Sequence, residues 1–211
     1  MDLIYGAHPI GSWESTLAEC ASFKPAHVSA YSLTYEPGTP FGARTNEAVD
    51  EDASFGLYRT ARAYLTGEGY AHYEVSNFAR SGCSCRHNLL YWRNEEYAGF
   101  GPGAYSFLSG VRSRNHVPLS AYLANPGEKV EALELTAREI RTETLIQHFR
   151  LTEGLAKDYY ENRFKRSLRE DYGVALDALI ARGLLEEDAN TIRPTMKGFE
   201  LNNEIGLSLV D

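Results

Sequence analysis

The chain has 211 residues, of which 43% are hydrophobic, 24% charged and 12% aromatic. That length can bury a core without disulfide staples, and the composition excludes collagen-like, low-complexity and disordered classes. A formal net charge of −8 argues against a broad phosphate-binding surface, so nucleic acid is not an expected partner.

In chain order, Asp2-Leu-Ile-Tyr-Gly6 predicts a buried strand, an apolar run closed by glycine. Ser12 is placed to cap a helix from Trp13 to Phe23, with Trp13, Leu17, Cys20 and Ala21 at helical spacing and Lys24-Pro25 as its stop. His27 to Thr34 reads as a second strand. Glu36-Pro-Gly-Thr-Pro40 is loop chemistry, and the acidic stretch Glu47 to Asp52 opens a helix carrying Phe55, Tyr58, Ala61 and Leu65 on one face, ended by Gly67 and Gly69. Tyr70 to Val75 reads as a third strand. The succession strand, helix, strand, helix, strand is that of parallel βα units, a piece of a larger α/β sheet or barrel.

From Asn77 to Leu119 the pattern turns irregular and aromatic, with a glycine-rich stretch at Gly99 to Tyr105 and a hairpin expected around Gly110. Ala124-Asn-Pro-Gly127 is a break, giving expected domains 1–125 and 126–211. Helices are predicted over Thr136 to Phe149, Leu155 to Phe164 and Val174 to Arg182. Gly183 to Pro194 follows as two short apolar patches around a polar turn, and a last helix runs to Val210. Helices followed by a small hairpin suggest a winged-helix-like module.

Cys85-Arg-His-Asn-Leu-Leu-Tyr-Trp92 puts a histidine, an amide and two large aromatics into what reads as a loop. Imidazole is a good haem-iron ligand, asparagine can orient it or a propionate, and Tyr and Trp offer flat apolar surface to a macrocycle. The plainer alternative makes Tyr91 and Trp92 core anchors and leaves His87 bonded to a neighbouring carbonyl. Gly99, Gly101 and Gly103 alternate, which leaves one side of an extended segment bare for a cofactor or for another backbone. They do not form a dinucleotide fingerprint, because the third glycine comes too early and no helix follows. His8 lies in the loop after the first strand, where parallel α/β proteins place ligand-binding groups; a solvent-facing histidine is the ordinary alternative.

The cysteines Cys20, Cys83 and Cys85 form no even framework and lack the spacing of a metal site; they fit a reducing compartment. No apolar run approaches the roughly 20 residues of a membrane span, and Met1 leads into Asp2 without a basic region, so the chain reads as soluble, cytoplasmic and not exported. Arg163, Lys165, Arg166 and Arg169 could meet phosphate or form a solvated helix face. Acids outnumber bases beyond residue 151, which disfavours DNA.

Taken in order, Asp2-Leu-Ile-Tyr-Gly6, Ser29-Ala-Tyr-Ser-Leu-Thr34, Glu36-Pro-Gly-Thr-Pro40, Tyr73-Glu-Val-Ser-Asn-Phe-Ala79, Cys85 to Trp92, Gly99-Phe-Gly-Pro-Gly-Ala-Tyr-Ser106 and Arg150-Leu-Thr-Glu-Gly154 resemble one family. It is the oxygen-independent coproporphyrinogen III oxidase family of radical-SAM proteins, and His87-Asn-x-x-Tyr-Trp92 is most similar to its haem-chaperone branch. Gly183-Leu-Leu, Arg193-Pro-Thr and Lys197-Gly198 resemble that family's C-terminal domain.

The resemblance implies an α/β protein: a partial radical-SAM (β/α) barrel followed by a helical, winged-helix-like C-terminal domain. It implies S-adenosylmethionine and a [4Fe–4S] cluster in the complete protein. The C-x-x-x-C-x-x-C thiolates that hold the cluster are absent from this sequence, so the chain alone is expected to have no radical activity. Carried over by position, Asp2, Ile4, Thr34, Leu89, Leu90 and Tyr105 correspond to contacts of S-adenosylmethionine. His87, Asn88, Tyr91 and Trp92 correspond to the haem signature. Two departures stand out: Ala7-His-Pro-Ile-Gly11 replaces the usual Leu-Pro-Gly-Gln-Thr, and Tyr105 stands where the family has histidine. The complete protein is expected to bind haem or porphyrin, for transfer to haem-receiving proteins or for decarboxylation of propionates, and a homodimer is compatible with the sequence. The alternative from another class is a non-catalytic winged-helix module that binds protein or nucleic acid.

Overall fold

A computed structural model describes residues 1–6 and 12–210, which form two compact units, Met1–Cys85 and the segment from Arg86 onward. The Ala7 to Gly11 segment, with His8, lies outside the described residues.

The first unit is a four-stranded sheet with two helices. Strands β1 (Asp2–Tyr5) and β2 (His27–Ser32) are parallel, with Asp2 opposite Ser29. Between them runs α1 (Trp13–Ser22), which buries Trp13, Leu17, Cys20 and Ala21 as its spacing predicts. The expected Ser12 side-chain cap is not made; instead its carbonyl accepts the hydroxyls of Ser15 and Thr16 at 3.2 and 2.9 Å. A short 3₁₀ turn, Gly42–Glu47, precedes α2 (Glu51–Gly67). Asp50 caps α2 by accepting from the Ala53 amide at 2.7 Å, and Glu51 and Asp52 complement the dipole of its first turn. Tyr5, Val28, Ala30, Tyr58, Ala61, Leu65 and Phe78 pack with α1 into one core, and the Trp13 indole donates to the Leu57 carbonyl at 2.9 Å.

Two expectations are corrected here. The first strand is not buried: as the edge of the sheet it turns Tyr5 inward but leaves Asp2 exposed and Ile4 62% exposed. The third strand, β3 (Ala71–Glu74), does not pair with β2. The chain reverses after Val75 and inserts β4 (Asn77–Ala79) between them, antiparallel to both. All three residues of β4 are buried, and Phe78 stacks on His72 at 4.6 Å, which secures the insertion. The sheet stays open; no closed barrel forms among the described residues.

The second unit begins with α3 (Arg86–Trp92), a helix where a loop was expected. Strands β5 (Tyr105–Leu108) and β6 (Val111–Asn115) form the expected hairpin, turned by Ser109 and Gly110 at φ 52° and 78°. After α4 (Leu119–Ala124), a strand that the sequence reading missed, β7 (Lys129–Glu134), joins this sheet beside β6 with all six residues exposed. Helix α5 (Ala137–His148) opens on a capping box of Thr136 and Glu139, and α7 (Leu168–Ala181) on one of Ser167 and Glu170, earlier than expected. Between them come β8 (Leu155–Ala156) and α6 (Lys157–Phe164). The hairpin β9 (Leu185–Glu187) and β10 (Thr191–Pro194) takes β8 as a third strand, completing the winged-helix-like pattern. The expected last helix is two short ones, α8 (Met196–Glu200) and α9 (Asn202–Leu207), interrupted at Leu201, whose φ of −108° and ψ of 34° leave the helical range. Within α8, Gly198 lies so close to the Leu184 carbonyl that a Cβ there would fall 2.0 Å from its oxygen. Leu145, Phe149, Tyr160, Leu176, Leu179, Leu184 and Ile192 form the core.

Candidate functional site

The signature segment lies on α3, and the helix sorts its side chains. At about 100° per residue, His87, Tyr91, Asn88 and Trp92 fall within about 140° of arc, while Leu89 and Leu90 occupy the remainder. His87 is exposed at the start of the helix. Its Nε2 lies 3.1 Å from the Tyr91 hydroxyl one turn on, and the two rings meet edge to face at 5.0 Å. Tyr91 in turn packs on Tyr97 at 4.5 Å. Imidazole and phenol therefore form one unit braced from behind, the arrangement that fixes a ligating histidine by its second nitrogen.

Trp92 is half-buried under Arg150, whose guanidinium lies 4.5 Å from the ring centroid. Its indole nitrogen is occluded without a hydrogen-bond partner among the described residues. Arg150 enters the sequence analysis only within the Arg150-Leu-Thr-Glu-Gly154 resemblance, and nothing local links it to Trp92. Asn88, Leu89 and Leu90 are half-buried on the same helix. Tyr105, 45% exposed on β5, receives a hydrogen bond from Arg114 at 3.2 Å and a cation over its ring at 5.6 Å. Asp2, Ile4 and Thr34 are exposed in the first unit, Asp2 and Ile4 alternating with Tyr5 along β1.

Of the alternating glycines, close backbone packing accounts for Gly99, and left-handed backbone conformation accounts for Gly101 and Gly103. A Cβ on Gly99 would sit 2.0 Å from the Tyr105 carbonyl oxygen, and Gly101 and Gly103 adopt φ 97° and 70°. Asn115, 1% exposed on β6, clasps the loop by donating to the Gly99 and Gly101 carbonyls at 3.2 and 2.8 Å.

The arginines of the basic cluster are engaged within the unit. Arg166 pairs with Asp171 at 2.6 Å, Arg169 with Asp177 and Glu187, and Arg163 donates to backbone carbonyls. Burial raises the Asp171 carboxyl, but bonds from Tyr160 and Arg166 outweigh it and hold the group below the usual carboxylate range. Burial also pushes up the Cys20 thiol, which lies in the packed face of α1, whereas Cys83 is exposed and Cys85 half-buried. Among the described residues no three His, Cys, Asp or Glu side chains converge as a metal site would require.

Residues 135–201 match the family model described as the HemN C-terminal domain. The chain is 37% identical to the haem chaperone HemW of Lactococcus lactis and 30% identical to that of Bacillus subtilis, in each case over 97% of its own length. The chain is thus similar, over nearly its whole length, to haem chaperones named HemW. It spans 56% and 57% of those two relatives, corresponding to the C-terminal portion. A solved structure of the Escherichia coli coproporphyrinogen III oxidase HemN, described as a radical-SAM enzyme, superposes with a TM-score of 0.77 over 99% of this chain and 54% of that one. At 19% identity this shows the shared α/β fold. Helix α3 brings His87, Asn88, Tyr91 and Trp92 of this chain onto one helix face.

Proposed function

We propose that this chain supplies the haem-binding surface of a HemW-type protein of the cytoplasm, which takes up haem or porphyrin and passes it to a receiving protein. No helix among the described residues is long and apolar enough to cross a membrane. The observation that carries the reading is the braced imidazole of His87: it is exposed, it opens a helix, and the bond to Tyr91 occupies Nε2 and leaves Nδ1 for iron. Asn88 and Trp92 flank it on the same half of α3, the amide toward a propionate and the indole toward the macrocycle.

S-adenosylmethionine and a [4Fe–4S] cluster are the cofactors of the complete family protein, and when bound they supply radical chemistry. The donor set described here does not fit a cluster, since Cys20 is locked in a packed helix face and no second and third ligand converge with Cys83 or Cys85. No step of radical chemistry is therefore assigned to these residues. Asp2, Ile4, Thr34, Leu89, Leu90 and Tyr105 are proposed as S-adenosylmethionine contacts of the complete protein on the resemblance of their sequence positions alone.

Haem titration of the full-length protein tests the reading. The wild type is expected to give a histidine-ligated Soret band that His87→Ala abolishes and Tyr91→Phe weakens. An identical band in His87→Ala would remove His87 from the site.

A further inference from the structure

The helix carrying His87 has seven residues, well short of the roughly 12 to 15 that an isolated helix needs in water. Its carbonyl end is fastened by the helices that follow it in the second unit. The backbone closes as a Schellman turn: the Asn94 amide donates to the Tyr91 carbonyl and the Glu95 amide to the Leu90 carbonyl, both at 2.9 Å, with Asn94 in the left-handed conformation at φ 49°. Glycine would take that conformation more easily. The buried Asn94 side chain supplies what glycine lacks, donating to Thr144 Oγ1 at 3.1 Å and to the Ile140 carbonyl at 3.4 Å, both on α5.

Two further carbonyls at this end, those of Arg93 and Asn94, converge on one guanidinium. Arg163 of α6 donates Nη1 to the Arg93 carbonyl at 3.0 Å and Nη2 to the Asn94 carbonyl at 2.7 Å. Tyr159, one turn earlier on α6, donates to the Arg93 carbonyl at 3.4 Å and accepts from Arg163 at 2.5 Å. A cation at this end also complements the helix dipole.

We propose that Arg163 is a positioning residue for the His87 ligand, setting the axis of α3 through the Arg93 and Asn94 carbonyls. The inference rests on the reading of His87 as the haem-iron ligand. His87 lies about 9 Å along the helix from Arg93, so a tilt of about 10° at the anchored end displaces the imidazole by about 1.5 Å, more than a metal–nitrogen bond tolerates. Lysine is no substitute, because one ammonium cannot reproduce a planar fork across two carbonyls.

The test is haem titration of the full-length protein with the variants Arg163→Gln, Arg163→Lys, Asn94→Gly and Asp171→Asn. Both Arg163 variants are expected to weaken haem binding about tenfold and to reduce the histidine-ligated Soret component. Asn94→Gly keeps the left-handed backbone while removing the α5 anchor, so it reads out the same anchoring should the Arg163 variants fail to fold, and it too is expected to weaken binding. Asp171→Asn disrupts the network of Tyr160, Arg166 and Arg141 around Asp171 in the same module, which touches α5 through Arg141 but makes no bond to α3 itself, and is expected to lower the melting temperature while leaving haem affinity intact. Wild-type affinity and spectrum in Arg163→Gln, or in Asn94→Gly where the former does not fold, would overturn the proposal. So would an equal loss of haem affinity in Asp171→Asn. An unchanged Soret band in His87→Ala would instead overturn the ligand assignment itself, whatever the Arg163 variants do.

Discussion

His148 should make the second unit lose stability between pH 7 and pH 5. It is 5% exposed at the end of α5, its Nδ1–H donates to the Thr144 carbonyl at 2.8 Å, and its ring lies 5.1 Å from Tyr159. Burial pushes its pKa down to about 4; the Thr144 bond opposes the shift and the nearby Arg163 charge adds to it. The folded value lies below the ordinary 6.5, so between the two the unfolded chain takes up a proton that the native state refuses. The stabilisation is complete above pH 6.5 and is lost as pH falls from there toward 4. For those two values the loss from pH 7 to pH 5 is about 2 kcal/mol. Carboxylates held low, such as Asp188 at about 2, release their share only below pH 4 and leave this window undisturbed. The chain has two tryptophans, Trp13 in the first unit and Trp92 in the second, so a Trp13→Phe background lets fluorescence-monitored urea unfolding report the second unit alone. His148→Gln keeps a donor for the Thr144 carbonyl and cannot titrate. Its loss between pH 7 and pH 5 should be smaller than the parent's by about 2 kcal/mol; an equal loss in both would refute the assignment of this acid sensitivity to His148.

Three substitutions probe the packing. Gly99→Ala should cost about 3 kcal/mol in thermal unfolding, since its Cβ would meet the Tyr105 carbonyl oxygen at 2.0 Å. Gly173→Ala should raise stability by about 1 kcal/mol, because Gly173 lies inside α7 with open space where the methyl would go. Leu176→Ala, at a fully buried core position on α7, should lose about 3 kcal/mol in urea unfolding.

Elements that announce themselves locally were readable from the sequence. The spacing of Trp13, Leu17 and Cys20, of Tyr58, Ala61 and Leu65, and the hairpin at Gly110 all report one face or one turn, and each forms as read. What escaped depends on partners far along the chain. Strand β4 has three residues, too few to show a period, and exists because β2 and β3 both accept it. Lys129 to Glu134 alternates without a buried face, so its strand character comes from pairing with β6 rather than from burial. The site divides the same way. His87 and Tyr91 are four residues apart, so their contact is local, but it needs the helix that the loop reading of this segment did not foresee, whereas Asn94 finds Thr144 across 50 positions and Arg163 finds the Asn94 carbonyl across 69. No periodicity within α3 could reveal the residues that hold it in place.

The same long-range pairing bears on the rival reading, a winged module that grips nucleic acid. Binding to a phosphate backbone draws on cations that release condensed counterions, and each cation already engaged must first give up its partner. In this module Arg166 is held by Asp171, Arg169 by Asp177 and Glu187, Arg182 by Glu204, and Arg193 by Glu186 at 2.7 Å. Lys157 pairs with Glu187 at 2.8 Å and Lys197 donates to the Arg182 carbonyl at 3.0 Å. Exposed pairs of this kind are individually weak, but freeing several at once in a chain of net charge −8 leaves the acids behind to repel the phosphates. A gel shift with duplex DNA or RNA should therefore show no complex even at about 50 mM salt, where phosphate contacts are strongest. A complex that forms there and dissolves steeply as salt rises would show that the arginines exchange carboxylate for phosphate, and would restore the nucleic-acid reading.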